Sequence, residues 1–234
     1  MFRKRKEKAS VGEYRRKLIT AQDPKSSVSE QYRTIRTNIQ FSSVDREIRS
    51  ILVTSSGPSE GKSITVANLA VTFAQQGKKV LLVDADLRKP TIHHLFNEAN
   101  IYGFTNVLTR QMSLECAVKA VEVANLFVLT SGPIPPNPAE LLSSKAMEQF
   151  FAHVNDQYDV VLFDTPPVVA VTDAQILANK CDGTILVVYS GKTEKELAVK
   201  ANELLQSAKG KLLGVVLNHK EMKDSNYYYY YGAR

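Results

Sequence analysis

Cysteine is scarce in this sequence. Only Cys116 and Cys181 occur in 234 residues, with no partner at metal-ligand spacing and no pattern of a disulfide framework. Both read as small buried apolar residues in a reducing, cytoplasmic setting. His93 and His94 likewise have no Cys or His partner at ligand spacing, so they read as surface or core residues rather than metal ligands. No apolar run approaches the roughly 20 residues that span a bilayer, and no signal-peptide pattern opens the chain. The body of the chain also lacks net charge. Eight basic and two acidic side chains in residues 1–20 account for the whole formal charge of +6, leaving 22 basic and 22 acidic residues over 21–234. A balanced body does not point to a nucleic-acid face. The basic leader, about residues 1–25, reads as a solvated flexible tail or as a segment lying against anionic lipid. Internal repeats are absent, and the one low-complexity run is Tyr227 to Tyr231.

What remains is ordinary for a globular protein, at 44% hydrophobic and 23% charged residues. The length suits a single α/β domain with tails. A helical pattern runs over about 30–41 with Ser29 as N-cap. Apolar strand candidates at 50–54, 79–84, 126–130, 159–164, 184–189 and 212–217 then alternate with helical patterns at 64–76, 138–155, 172–180 and 193–208. Near-continuous Val/Ile/Leu strands are what a parallel sheet covered on both faces requires. The expected fold is therefore doubly wound α/β, with its ligand at the carboxyl ends of the strands. The expected division is a leader at 1–25, a domain at 26–218 and a flexible tail at 219–234.

The chemistry concentrates in Gly57-Pro58-Ser59-Glu60-Gly61-Lys62-Ser63, between the first strand and the helical pattern that opens at Ile64. Strand, Gly-Lys-Ser loop and helix in succession predict a phosphate-binding P-loop. Its amides would point into one concavity at the positive end of the following helix. Lys62 would reach the β- and γ-phosphates of ATP, and the Ser63 hydroxyl would ligate Mg²⁺. Ser56 stands where the usual pattern has its first glycine, so Gly57 is expected to supply the permissive backbone. Aspartates close two of the apolar strands. Asp164 is placed like a Walker B carboxylate, and Asp84 and Asp86 form an i, i+2 pair expected to put both carboxylates on one side. Spacing alone does not divide base from metal ligand within that pair. Asn218, at the end of the last strand, reads as a base-recognising residue or a turn former. Arg88 reads as a phosphate partner or a carboxylate's ion-pair partner. Asn137 and Pro138 read as the N-cap and first residue of a helix.

Together these residues resemble the bacterial tyrosine kinases (BY-kinases). Asp84-Ala85-Asp86-Leu87-Arg88-Lys89-Pro90 is similar to their second Walker A′ motif, and Asp164-Thr165-Pro166-Pro167 with Asp173-Ala174 is similar to their Walker B region. Ser131-Gly132-Pro133 with Pro135 to Leu142 resembles another of their signatures. Glu30, Arg33 and Arg36 match their Glu-x-x-Arg-x-x-Arg oligomerisation motif, and the terminal tyrosines complete the set. The resemblance spans about 26–234 and is closest to the free-standing cytoplasmic kinases of Gram-positive capsule and exopolysaccharide systems. Their loop usually carries glycine at the position of Ser59, so a positive φ there would strain this chain.

The resemblance implies an ATP- and Mg²⁺-dependent protein-tyrosine kinase that phosphorylates its own Tyr227, Tyr228, Tyr229, Tyr230 and Tyr231. It implies that Lys62, Asp84, Asp86 and Arg88 are catalytic, with Asp84 the base. Residues 57–64 and Asn218 would hold ATP, and Ser63, Asp86 and Asp164 would hold the metal. It also implies a ring-shaped homo-oligomer through Glu30, Arg33 and Arg36. The implied partners are a transmembrane activator of the polysaccharide co-polymerase type, which recruits the kinase to the inner membrane face, a cognate tyrosine phosphatase and protein substrates. Two other classes share the fold. Partitioning and division ATPases usually carry an additional signature lysine near the start of the P-loop, and residues 55–60 contain none. A nucleotide-switch scaffold would need no tyrosine tail.

Overall fold

The computed structural model describes residues 18–42 and 47–221. The tyrosine run, residues 227–231, lies outside the described residues. The elements are α1 (Ile19–Gln22), α2 (Ser27–Phe41), β1 (Ser50–Ser55), α3 (Lys62–Gln75), β2 (Val80–Asp84), α4 (Ile92–Phe96), α5 (Phe104–Leu108), α6 (Leu114–Ala117), β3 (Lys119–Ala120), β4 (Leu126–Leu129), α7 (Pro138–Leu142), α8 (Lys145–Gln157), β5 (Val160–Asp164), α9 (Asp173–Ala178), β6 (Gly183–Tyr189), α10 (Lys195–Ser207) and β7 (Leu212–Asn218).

The strands form one seven-stranded sheet in the order β3-β4-β2-β5-β1-β6-β7, parallel except for β3. Side-chain alternation divides the core between the two faces. Ile51, Val53, Val80, Leu82, Val160 and Leu162 pack against α3, while Leu52, Leu81, Val83, Val161 and Phe163 face Phe104, Phe150 and Phe151. A third cluster joins Leu186 and Val188 to Ala174, Ala201 and Leu205. The chain runs outward from β1 to β2 and β4, then returns to insert β5 between β2 and β1 before continuing to β6. That reversal makes β2, β5 and β1 neighbours, and their carboxyl ends share one crevice.

Several boundaries differ from the sequence reading. Ser26, not Ser29, caps α2, its hydroxyl accepting from the Ser29 amide at 3.2 Å. Ser29 instead donates to the Asp23 carbonyl at 2.7 Å. The pattern at 138–155 divides into two helices because the Ser143 and Ser144 hydroxyls donate to the carbonyls of Glu140 and Leu141, at 3.0 and 2.7 Å. Asn137 occupies the N-cap position of α7 without a side-chain capping bond. Cys116 is exposed, contrary to its reading as a buried residue, whereas Cys181 is buried. Strand β7 is an edge with Val215 and Leu217 exposed, so the sheet is not covered on both faces throughout.

Within the stretch expected to be leader, residues 18–21 pack against α3. The buried Thr20 gives its amide and hydroxyl to Asn68 Oδ1 at 3.1 and 2.9 Å, and Gln75 donates to the Thr20 carbonyl at 2.8 Å. Asn68→Ala leaves the buried Thr20 amide unpaired and the hydroxyl with only the Asn68 carbonyl, at 3.3 Å, at a cost of about 1–3 kcal/mol. Thermal unfolding should drop by about 2–4 °C for each kcal/mol lost, with faster amide exchange at Thr20. Unchanged exchange there would show that this docking does not depend on Asn68.

Candidate nucleotide site

Strand β1 runs straight into the loop at 56–61, and α3 begins at Lys62. Two residues of this loop have left-handed backbone: Ser59 at φ 62° and Gly61 at φ 90°. Gly57 does not, so the permissive turn is made at Ser59 and Gly61 and not at Gly57. At Gly61 a side chain is excluded on two grounds, since a Cβ would lie 2.0 Å from Asn218 Nδ2. Ser59 carries the strain that the family resemblance predicts at this position.

The Glu60 side chain, 5% exposed, closes the loop from within. Its carboxylate accepts from Ser56 Oγ at 3.0 and 2.9 Å, from the Gly57 amide at 3.1 Å, and from Thr193 Oγ1 in the turn between β6 and α10. Thr193 Oγ1 in turn accepts from the Tyr189 amide at 2.8 Å. Glu60 is thus a positioning residue, and its bond to Thr193, 133 residues away, is the one that carries no sequence signal. Asn218 braces the same loop, donating Nδ2 to the Glu60 carbonyl at 2.9 Å.

Lys62 lies where the three central strands end. Its Nζ is 2.9 Å from Asp86 Oδ2, 3.3 Å from Asp164 Oδ1 and 3.2 Å from Ser63 Oγ. Burial works against the ammonium, but the charges of Asp164 and Asp86 outweigh it and raise the Lys62 pKa above its ordinary value. Asp84 and Asp164 are register partners on β2 and β5 and are wholly buried. The expected alignment of Asp84 with Asp86 is only partial. Asp84 Oδ2 accepts from the Thr91 and Ile92 amides, both at 3.0 Å, whereas Asp86 Oδ1 accepts from the Lys89 amide at 3.0 Å. Asp84 Oδ1 and Asp164 Oδ2 have no hydrogen-bond partner among the described residues. Burial first, and the Asp164 charge second, push the Asp84 pKa well above the carboxylate range. Burial also raises Asp164, with Lys62 acting in opposition.

Arg88 turns away from the loop. Its Nε and Nη2 donate to the two oxygens of buried Asp173, both at 2.9 Å, which raises the Arg88 pKa. The guanidinium fork is therefore used as an ion-pair partner linking the segment after β2 to α9. Arg36 is also turned inward, donating to the Thr72 carbonyl of α3 at 2.8 Å, while Glu30 and Arg33 pair with each other on the surface of α2. Half-buried His93 is depressed to about 4, chiefly by burial, which holds it neutral.

Among the described residues no group of three or more His, Cys, Asp or Glu is placed to hold a metal ion unaided. Magnesium sites of one or two carboxylates completed by nucleotide phosphates need no such group. Asp86, Asp164 with its unpartnered Oδ2, and Ser63 form that kind of donor set.

A family model for ParA, described as "NUBPL iron-transfer P-loop NTPase", matches residues 47–228. The chain is 58% identical over 219 residues to "Tyrosine-protein kinase YwqD" of Bacillus subtilis (strain 168), covering 94% of this chain and 92% of the relative. It is 38% identical over 190 residues to "Tyrosine-protein kinase CpsD" of Streptococcus agalactiae serotype III (strain NEM316), covering 81% of each. Among solved structures, the chimerical protein CapA2B2 matches with a TM-score of 0.86 at 43% identity, over 88% of this chain and 91% of that one.

Two measurements check this geometry. Relief of left-handed backbone at Ser59, about 1–2 kcal/mol, exceeds the extra chain entropy of glycine, about 0.5–1 kcal/mol. Ser59→Gly should therefore raise the melting temperature by about 1–4 °C, and a drop would refute strain at this residue. The second is a pH series on nucleotide-free protein. Because the folded-state pKa of Asp84 is raised, its stabilising contribution is full below the unfolded value and is lost as pH rises through the folded value. Asp84→Asn escapes that loss, so its melting temperature should gain on wild type as pH is raised from 4 to 8. A gap that is flat or shrinking with pH would contradict the burial of an ionisable pair.

Proposed function

The chain belongs to the ParA-type P-loop NTPases and, within them, to the bacterial tyrosine-protein kinases, and from that premise we propose which of its residues do the work. The observation that carries the reading is Lys62, held at the start of α3 within hydrogen-bond distance of Asp86, Asp164 and Ser63. ATP phosphates enter the concavity of residues 57–63, where loop amides and the amino end of α3 favour anions. Lys62 then exchanges its carboxylate partners for the β- and γ-phosphates. Ser63, Asp86 and Asp164 would hold Mg²⁺, which supplies neutralisation of phosphate charge when bound. A tyrosine hydroxyl attacks the γ-phosphorus in line, the bond to the β–γ bridging oxygen breaks, and ADP leaves. Asp84, whose Oδ1 is unpartnered and whose carboxylate is made a stronger proton acceptor by burial and the neighbouring Asp164 charge, takes the hydroxyl proton.

The acceptors in this reading are the tyrosines at 227–231, presented by a neighbouring subunit. Each phosphate adds about −1.5 to −2 charge, so full modification reverses the chain's positive charge and drives assembled subunits apart. Glu30 and Arg33 remain available for the subunit interface, whereas Arg36 acts through its bond to α3. No helix among the described residues is long and apolar enough to cross a membrane. Recruitment by a transmembrane activator, reversal by a tyrosine phosphatase and control of surface-polysaccharide synthesis complete the proposal. They are supported by the motif resemblance and by the kinase names of the relatives.

Lys62→Met tests the assignment. The structure pairs Lys62 with buried carboxylates. Removing it should therefore abolish tyrosine phosphorylation and also lower the melting temperature at neutral pH. Mixing this variant with a chain carrying Phe at 227–231 should place label on the tail of the Lys62→Met chain. Label confined to wild-type self-reaction would mean that each tail serves its own site. Wild-type phosphotyrosine in purified Lys62→Met would remove Lys62 from the mechanism.

A further inference from the structure

The family resemblance gives the nucleotide base to Asn218, but the Asn218 side chain is already engaged. Its Nδ2 donates to the Glu60 carbonyl at 2.9 Å and its Oδ1 accepts from the His219 amide at 2.9 Å. Next to it stands a feature that the mechanism does not use. The His219 ring lies flat on Tyr189, with ring centroids 4.1 Å apart and planes inclined by 12°. His219 is exposed, at φ 56°, and its Nε2 is 3.9 Å from where a Cβ on Gly61 would stand, at the rim of the phosphate loop.

This stack is fixed from several sides. Tyr189 and Asn218 are register partners on β6 and β7, and the Ser190 amide donates to the Asn218 carbonyl at 2.8 Å. The Tyr189 amide is bound to Thr193, which is bound to Glu60. Lys192 Nζ lies 5.2 Å from the Tyr189 ring centroid. The platform is thus tied to the same carboxylate that closes the loop.

The two rims of the loop differ in chemistry. Toward β5 and β2 lie Asp164, Asp84 and Asp86, with Lys62 among them, and the reacting phosphate must face that side. A nucleotide with its phosphates so placed leaves the loop on the opposite side, toward β6 and β7. There the chain offers an aromatic face in place of carboxylates. We propose that His219, backed by Tyr189, is the stacking platform for the nucleotide base, and that Asn218 serves chiefly to hold the loop and set His219 in place. The inference rests on the P-loop reading above.

Calorimetry on the full chain with Mg²⁺ separates the base from the phosphates, using ADP and inorganic tripolyphosphate as the two probes. A base–aromatic stack contributes about 1–3 kcal/mol, or about 5- to 150-fold in affinity. His219→Ala should weaken ADP by that factor and leave tripolyphosphate unchanged, and His219→Phe should restore ADP. Wild-type ADP affinity in His219→Ala would overturn the platform. So would equal losses for both probes, which would make His219 a brace of the loop. Wild-type protein that binds neither probe would refute the P-loop reading itself, and the platform with it.

Discussion

Burial of like charge at the ends of the central strands is the constraint around which the rest of this molecule is arranged. Asp84 and Asp164 face each other in register with no solvent exposure, and Asp86 stands two residues beyond. Removing carboxylates from water is costly unless a cation compensates, and here the cation is Lys62. For Lys62 to arrive there, α3 must begin directly beneath the strand ends, and the loop before it must reverse within a few residues. Hence the left-handed backbone at Ser59 and Gly61, and hence the Glu60 carboxylate that gathers Ser56, Gly57 and Thr193 around itself. The sheet topology serves the same end, since inserting β5 between β2 and β1 brings the acids into one crevice.

Two of the bonds that hold this loop are long-range, and they join it to parts of the chain with other duties. Through Glu60 and Asn218 it is tied to the ends of β6 and β7, close to where the described residues stop at 221. On the opposite side α3 is tied to α1 by Asn68 and to α2 by Arg36. The helix proposed to carry the subunit contact therefore bears directly on the helix that carries Lys62. A displacement of α2 on assembly would be felt at the phosphate loop through packed side chains, with no need for a longer route.

Local chemistry was legible in the sequence and long-range pairing was not. The six main strands, the loop and the aspartates follow from apolar runs and spacing, whereas only the family resemblance points to the left-handed backbone at Ser59, spacing having put it at Gly57. The destinations of charged side chains do not follow from such patterns. Arg88 could meet a phosphate or a carboxylate, and only the fold shows Asp173, 85 residues away, placed to take both ends of its fork. Arg36 has an interface role only by the family resemblance, and in the fold its guanidinium donates to a carbonyl of α3. Glu60 is one residue among several in a motif until Thr193 closes on it. The break at Ser143 and Ser144 leaves no mark in the pattern, because an apolar period continues across it while two hydroxyls take the carbonyls needed to extend the helix.

Lys62 has two duties that compete, and the competition has a direction. In the free chain its ammonium compensates buried carboxylates, and when nucleotide is bound it is needed on the phosphates. A bare nucleotide that drew Lys62 away would leave Asp86 and Asp164 uncompensated, a cost of several kcal/mol by the ordinary measure of a broken buried pair. Phosphate that arrives with a divalent cation avoids this, since Ser63, Asp86 and Asp164 then exchange one positive partner for another. Affinity for the nucleotide alone should on this reasoning be poor, and affinity for the metal-bound nucleotide good. On the proposed reading the buried acids would select the metal-bound form of ATP before any tyrosine reaches the site.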